Sequence, residues 1–185
     1  LEKPLQLVNI LNATIPVMAC RRVLIVLEEN AHAKMLVCDH TQNQELDFLN
    51  TQIVEIFAGK NSSFDLYDLE ESGERTHRVS SQWVRQEEGS NVLVNGITLV
   101  NGTTRNGYNI DIVGEHCETH LYGMAIAGGE QHIDNHTDIA HHVGHCSSNE
   151  LFKYILEDKA RGAFCGKILV DPNAPKTEAY QGNRN

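Results

Sequence analysis

Histidine and cysteine are concentrated in one stretch of the chain. Residues 114–146, GEHCETHLYGMAIAGGEQHIDNHTDIAHHVGHC, contain seven of the ten histidines and two of the five cysteines. Imidazole and thiolate are ligands that zinc and iron select in proteins. The residue types therefore raise the question of a metal site, and the answer depends on the elements that position them.

Glycines recur at a fixed interval through the same stretch. Gly114, Gly129 and Gly144 lie fifteen residues apart, and Gly59 and Gly89 lie thirty apart. A fixed period is typical of a solenoid, in which each repeat buries its apolar face by stacking on its neighbours. At roughly 3.3 Å per strand residue, fifteen residues suffice for one strand and one turn, so about thirty residues make a coil of two strands.

Strand signals agree with this period. Four segments are rich in Val, Ile and Leu and are bounded by turn residues, namely residues 21–30, 33–40, 51–59 and 91–100. The chain has four prolines and no long polar linker. The sequence predicts an all-β, parallel β-helix with about two strands per coil, built as a single domain over residues 1–185.

A coil of thirty residues predicts which residues stack. It places Tyr122 under Phe152 and Met124 under Tyr154, with Tyr122 and Met124 facing the interior because they share strand parity. Residues 147–160 disagree locally, since a capping box and apolar residues at helical spacing favour a helix. The stacking columns and the resemblance described below override this local pattern, so we predict strand there.

The same spacing brings potential metal ligands together. It sets Glu115 beside His145 and His116 beside Cys146 on rungs roughly 4.8 Å apart, close enough to converge on one ion. Histidines on successive turns of a β-helix also form hydrogen-bonded ladders that satisfy polar groups. We prefer the ladder, and Glu115, His116, His145 and Cys146 are the candidate ligands under the alternative. No catalytic residue is predicted.

Composition excludes some classes of partner and location. The formal charge is −10, and fifteen Lys and Arg residues are scattered along the chain, which argues against nucleic acid. No apolar run approaches the roughly 20 residues that span a bilayer, and no secretory signal pattern opens the chain. Five cysteines without a CxxC spacing fit free thiols, so we expect a cytoplasmic protein.

The acidic run at residues 65–74 is interpreted as a solvated turn.

The last third of the chain carries motifs of a known family. They are Gln131-His132-x-Asp134, Lys153-x-Ile155-Leu156-x-Asp158, Arg161-Gly162-Ala163-Phe164-x-Gly166-Lys167 and Lys176-Thr177-Glu178-Ala179-x-Gln181-x-Asn183-x-Asn185. This region resembles the core of the SufB/SufD family of scaffolds in the SUF iron–sulfur cluster assembly machinery. The block that starts at Lys176 favours the SufD-like branch.

The resemblance implies a fold, partners and a cofactor. Its core is a flattened right-handed parallel β-helix, preceded and followed by helical regions, so the chain is expected to be truncated at both ends. The family implies a SufB-like subunit and a SufC-like ATPase that docks through the missing C-terminal region. It also implies an iron–sulfur cluster held transiently in the full complex. The ligands that the resemblance implies for this cluster lie in a Cys-x-His-Gly segment beyond Asn185, so no cluster is expected on this fragment. The fragment alone could form a homo-oligomer.

Three functions remain open from the sequence. A non-enzymatic SufD-like assembly scaffold is favoured by the terminal motifs. A metal-dependent enzyme would use the His-rich stretch 116–146. A secreted carbohydrate-acting β-helix would carry sugars at the N-x-[ST] triplets that begin at Asn12, Asn61, Asn101 and Asn135. Trp83 is the only tryptophan, and no carboxylate pair is placed convincingly for glycoside chemistry.

Overall fold

Thirteen strands make up the secondary structure, in a computed structural model that describes residues 3–185. No helix capable of spanning a membrane occurs among these residues. The strands are β1 (Leu5–Leu11), β2 (Val17–Leu27), β3 (His32–Thr41), β4 (Phe48–Ala58), β5 (Ser63–Glu71), β6 (Thr76–Gln86), β7 (Asn91–Val100), β8 (Thr103–Ile112), β9 (Glu118–Ala127), β10 (His132–His141), β11 (Ser147–Leu156), β12 (Arg161–Val170) and β13 (Glu178–Arg184).

The strands wind into a two-sheet solenoid of about six turns. Odd-numbered strands form one seven-stranded sheet in chain order, and even-numbered strands form a six-stranded sheet in the same order. Every neighbouring pair is parallel. Each coil therefore contributes one strand to each sheet, which confirms the predicted parallel β-helix.

The coil length varies along the axis. Asn91 pairs with Glu118, a step of 27 residues, whereas His32 pairs with Ser63, a step of 31. Glu118 pairs with Ser147, a step of 29. The predicted coil of about thirty residues thus lies within the observed range but is one residue too long between β9 and β11 in the His-rich stretch.

That single residue changes which side chains face the interior. Phe152 lies over Gly123, and Leu151 lies over Tyr122, so the predicted columns through Tyr122 and Met124 are wrong. Side chains alternate along a strand, and a slip of one residue exchanges the two faces. Met124 accordingly lies on the outer face, where it is 40% exposed.

Residues 147–156 form strand β11 and not the helix that their local pattern favours. Ser147 and Glu150, which read as a capping box, lie on opposite faces, Glu150 being buried in the lumen. Parallel partners on both sides, β9 and β13, satisfy the backbone of this strand. The tertiary pairing therefore outweighs the local helical preference.

The core fills the space between the two sheets. Its largest buried side chains include Phe48, Phe64, Ile56 and Leu66. Glycine makes room for one aromatic ring: a Cβ added to Gly123 would lie 2.1 Å from the ring of Phe152. Phe152 also packs against Tyr108 and Phe164, with ring centroids 5.9 and 5.0 Å apart.

One column of turns follows the edge of the solenoid. Its residues have positive φ and recur once per coil, at Asn30, Asn61, Gly89, His116, His145 and Lys176. Gly and Asn adopt this conformation readily, whereas His and Lys do so less often. Backbone bonds join the turns across coils, as from Asn61 N–H to the Glu88 carbonyl at 2.8 Å and from His145 N–H to the Pro175 carbonyl at 2.9 Å.

Ion pairs on the outer faces also join neighbouring coils. Each is partly exposed and contributes little by itself, typically about 0.2–1 kcal/mol. They connect Arg22 with Glu55, Lys34 with Asp65, Lys60 with Glu88, Arg75 with Asp47, Arg105 with Asp134, Lys159 with Glu130 and Lys167 with Asp138.

Candidate functional site: a histidine–cysteine edge and a polar lumen

Three successive turns bring basic side chains to one edge of the solenoid. His116, His145 and Lys176 occupy the positive-φ position of the turns that precede β9, β11 and β13. The rings of His116 and His145 lie 5.4 Å apart between centroids. The His116 side chain is 63% exposed, so this column faces solvent. We call these turns the histidine–cysteine edge, because Cys117 and Cys146 follow the two histidines.

Both cysteines of the edge point into the turns. Cys117 Sγ donates to the carbonyls of Glu87 and Gly114 at 3.0 and 3.1 Å. Cys146 Sγ donates to the carbonyls of Gly144 and Gly114 at 3.2 and 3.3 Å. Burial raises the pKa of the Cys146 thiol. Each thiol therefore acts as a hydrogen-bond donor that closes its turn, and a metal would have to displace both the proton and these bonds.

The four candidate metal ligands are paired differently from the prediction. His116 stacks on His145, and Glu115 lies 4.0 Å from His116 with both side chains exposed. The expected pairs, Glu115 with His145 and His116 with Cys146, are wrong by the one-residue step already described. Among residues 3–185, no three His, Cys, Asp or Glu side chains are grouped to hold one ion. Metal binding at these residues stays an untested alternative to the hydrogen-bonded ladder.

A cleft of about 420 Å³ opens at this edge. Three coils contribute one row each: the first two rows carry a histidine followed by a cysteine, and the third carries a lysine and a glutamate. The lining residues are His116, Cys117, Glu118, His145, Cys146, Ser147, Lys176 and Glu178.

Two adjacent histidines take opposite roles, as strand alternation predicts. His141 is fully buried, and its Nε2 lies 2.9 Å from Ser148 Oγ. His142 is exposed and lies between two coils, 2.9 Å from Asp171 and 3.4 Å from Asp111. Burial lowers the pKa of His141, whereas the hydrogen bond with Asp171 raises the pKa of His142.

The lumen of the middle coils holds a buried cluster of charges. Arg78, with a side chain 2% exposed, donates two bonds from Nη2 to Asp68 at 2.8 and 2.9 Å. Its Nε donates to Asp39 at 3.1 Å, and its Nη1 to Asn106 at 3.0 Å. Burial alone would lower the pKa of Arg78, but Asp68, Glu70 and Asp39 outweigh it and raise that pKa. We call Arg78, Asp39, Asp68 and Glu70 the lumen charge cluster.

Amides and hydroxyls complete the hydrogen bonding of the lumen charge cluster. Gln52 and Gln82 donate to Asp68 at 3.2 and 2.8 Å. Glu70 accepts from the hydroxyls of Ser72 and Thr104 at 2.9 and 2.8 Å. Burial raises the pKa of Glu70, against the opposing effect of Arg78.

The acidic run at residues 65–74 is therefore not a solvated turn, and that interpretation was wrong. Its first part lies in β5, with Asp68 and Glu70 buried beside Arg78. A signal in the sequence could have shown this, because Asp68 and Glu70 continue the two-residue alternation that begins at Phe64 and Leu66. The high negative charge of the segment favoured a solvated turn over a half-buried strand.

A second polar group in the lumen has no partner. Glu150 is 1% exposed, and neither carboxyl oxygen makes a hydrogen bond within residues 3–185. Burial raises the pKa of Glu150 to about 7. The Thr137 hydroxyl, close by but without a hydrogen bond of normal geometry, offsets part of that rise. A carboxyl group is thus held near its half-protonated state at neutral pH.

The chain is similar in sequence to known proteins. A family model described as "SUF system FeS cluster assembly, SufBD core domain" matches residues 9–185. An iron–sulfur cluster assembly SufBD family protein of Synechocystis is 28% identical over 180 residues, which cover 92% of this chain and 39% of the relative. The iron–sulfur cluster assembly protein SufD of Escherichia coli is 28% identical over 110 residues, 60% of this chain and 26% of the relative.

A further relative is more distant. SufD of Plasmodium falciparum is 24% identical over 131 residues, which cover 65% of this chain and 9% of that protein. The chain thus spans at most 39% of the length of these curated relatives. Because the family model covers nearly all of the solenoid, the chain belongs to the SufBD core-domain family of the SUF iron–sulfur cluster assembly system.

Proposed function

We propose that this chain is the core of a SufD-like scaffold subunit, which supports iron–sulfur cluster assembly with SufB-like and SufC-like partners and is not itself an enzyme. The carrying observation is the family match over residues 9–185, supported by two relatives named SufD. The terminal block Lys176–Asn185 favours the SufD-like branch over the SufB-like one.

The fold suits such a role. A two-sheet solenoid stabilised by inter-coil backbone bonds presents long outer faces that partners can contact without folding of their own. We expect the cluster to be bound only transiently in the full complex, and the complex to be cytoplasmic. We expect ATPase docking and cluster ligation to need family regions that follow the position of Asn185.

A co-purification experiment tests this proposal. The 185-residue chain and the chain extended to the full length of its family are each expressed with a SufC-type ATPase and with a SufB-like subunit. The extended chain should retain both partners, and the short chain should fail to retain the ATPase. Equal ATPase capture by the short chain would place the docking surface within these residues, and no capture by either chain would reject the SufD-like role.

Anaerobic reconstitution with iron and sulfide tests the cofactor expectation. The short chain should develop no stoichiometric cluster absorbance. If a cluster forms, His116→Ala and Cys146→Ala variants decide whether it is bound at the histidine–cysteine edge. Loss of the cluster in both variants would replace the ladder interpretation with a metal site.

The secreted carbohydrate-acting alternative meets a specific obstacle. Asn101 and Asn135, which begin two of the four N-x-[ST] triplets, are 0% and 5% exposed. Asn101 Nδ2 donates to Thr104 at 2.9 Å, and Asn135 Nδ2 donates to the Tyr154 hydroxyl at 2.6 Å. Both amides form hydrogen bonds inside the lumen, and neither has room for a bulky surface sugar.

The remaining expectation concerns the 185-residue chain alone. Its terminal strands leave apolar side chains uncovered, with Ile10 60% and Tyr180 64% exposed. Edge strands with free backbone groups pair readily with other chains. We therefore propose that the short chain self-associates, which sedimentation at increasing concentration would show. A monomer at all concentrations would contradict it.

A further inference from the structure

Three polar side chains lie in line on the outer face of β9. Glu118, His120 and Tyr122 occupy alternate positions of this strand and therefore point the same way. The Tyr122 hydroxyl lies 3.0 Å from His120 Nδ1, and His120 Nε2 lies 2.9 Å from Glu118 Oε1. The two rings are 5.7 Å apart between centroids. We call this group the β9 relay.

The hydrogen bonds of the relay fix the direction of its protons. An ionised carboxylate can only accept, so the hydrogen on His120 Nε2 points to Glu118. In neutral His120, Nδ1 then carries a lone pair and accepts from the Tyr122 hydroxyl. Asn91 Nδ2 donates to the other carboxylate oxygen at 3.2 Å and orients Glu118. A base held by a carboxylate beside a hydroxyl is the arrangement that activates nucleophiles in acyl-transfer enzymes.

The side chains of the β9 relay do not need these hydrogen bonds to compensate for burial. The side chains of Glu118 and His120 are 52% and 29% exposed, and Tyr122 is half-buried. Water can satisfy polar groups in such positions, so the relay is not needed to neutralise a desolvation cost. Tyr122 pairs with Asn95 of β7 and with Leu151 of β11, so strands flank it on both sides. The residue as a whole is partly exposed on this face.

We propose that Tyr122 is a nucleophile, activated by His120 as general base, that accepts an acyl group from a neutral ester donor. The phenolic oxygen attacks the carbonyl carbon and forms a new ester. The donor's alkoxide or phenolate leaves with the bonding electron pair, and the phenolic proton passes to His120 Nδ1. Glu118 and Asn91 are positioning residues. The formal charge of −10 and the adjacent carboxylate disfavour anionic phosphoryl donors.

A matched control lies on the same face of the sheet. Tyr67 occupies the same row as Tyr122 two strands away, through Asn95. The residue two positions before Tyr67 is Asp65, which pairs with Lys34, whereas the residue two positions before Tyr122 is His120. The two phenols therefore share sheet, face and partial burial but differ in the neighbouring base.

The test uses p-nitrophenyl acetate and the intact chain. Peptide mass spectrometry should find Tyr122 acetylated about 10-fold or more faster than Tyr67, since general-base catalysis typically contributes about 10²–10⁴-fold. Tyr122→Phe should remove this product, and Tyr67→Phe should not change it. His120→Asn should lower the Tyr122 rate to that of Tyr67, and Glu118→Gln should lower it partly.

The pH profile separates catalysis from a structural role. Acetylation of Tyr122 should be faster in the wild type than in His120→Asn at neutral pH, and the two rates should converge at high pH, where hydroxide can remove the phenolic proton without a neighbouring base. Equal rates at Tyr122 and Tyr67, or a profile unchanged by His120→Asn, would overturn the proposal. If His120→Asn unfolds the chain, the Tyr122 to Tyr67 ratio and the wild-type profile decide alone.

Discussion

Single residues in the lumen carry charges that the apolar part of the core cannot accommodate. Arg78 compensates Asp39 and Asp68 at distances of 2.8–3.1 Å, with its own side chain 2% exposed. Asp39 has a second counter-charge in Arg21 at 2.8 Å, whereas within residues 3–185 the ion pairs of Asp68 and Glu70 are made with Arg78 alone. The lumen charge cluster therefore makes the stability of the middle coils depend on one side chain.

Arg78→Met should destabilise the fold strongly. It leaves the buried carboxyl groups of Asp68 and Glu70 without a cationic partner, which typically costs about 3–5 kcal/mol in the free energy of unfolding. Urea unfolding followed by circular dichroism measures the change. Arg105→Met is the control, because Arg105 forms an exposed pair with Asp134 and should cost less than about 1 kcal/mol. Equal losses in the two variants would show that the cluster is not essential to stability.

Glu150 should make stability fall between about pH 4.5 and pH 7. Its pKa rises from 4.5 to about 7 on folding, so the folded state binds the proton more tightly. The resulting stability is full below the unfolded pKa and is lost as pH rises through the folded pKa. The loss is about 3 kcal/mol over this range.

Glu150→Gln removes this titration while keeping a similar shape. Relative to the wild type, the variant should gain stability from about pH 5 to pH 7 and then level off, as measured by urea unfolding at each pH. A difference between the two proteins that stays constant with pH would show that Glu150 titrates normally in the folded chain.

At the scale of elements, coils pack by matching a small residue to a large one. Phe152 of β11 lies over Gly123 of β9 in the lumen. An added Cβ at 2.1 Å from the ring cannot be accommodated without movement, because the same ring also contacts Tyr108 and Phe164. The stacking of these two strands therefore depends on glycine at this position.

Gly123→Ala should destabilise the protein by about 1–3 kcal/mol through overpacking. In a double-mutant cycle, combination with Phe152→Leu should cost less than the sum of the two single changes, because the smaller side chain leaves room. Gly128→Ala is the control, since its Cβ would meet only Asp158 at 3.7 Å. Additive losses in the cycle would contradict the proposed contact.

At the scale of the molecule, the coils differ in how far neighbouring coils bury their side chains. The patterns of β1, β12 and β13 contain no buried residue, whereas every second residue of β5 and β7 is buried. Each coil of a solenoid contacts only its neighbours, so its stability depends on having one on both sides. The middle of the molecule should therefore open last.

Amide hydrogen exchange should show this gradient. Amides of β5 to β9 should exchange slowest, and those of β1 and β13 should exchange fastest, because local opening needs less free energy where fewer apolar contacts break. Uniform protection along the chain would mean that the solenoid unfolds as one unit.

The sequence by itself determined the architecture. Glycine spacing and runs of Val, Ile and Leu sufficed for a parallel solenoid, because repeats must stack to bury their apolar faces. The family motifs at residues 131–185 led to the same fold independently. Alternation along a strand, which needs only the sequence and the strand assignment, also accounts for the buried His141 beside the exposed His142.

Only the tertiary structure decided which residues meet. The coil is 29 residues long between β9 and β11 and 31 between β3 and β5, and no local pattern records that difference. The register differs by one residue from the predicted thirty-residue step, so the inner and outer faces of β9 are the reverse of those predicted. As a result, His116 lies beside His145 and Gly123 lies under Phe152. Turn lengths set by neighbouring coils fix the register, so side-chain contacts emerge only when the coils are stacked.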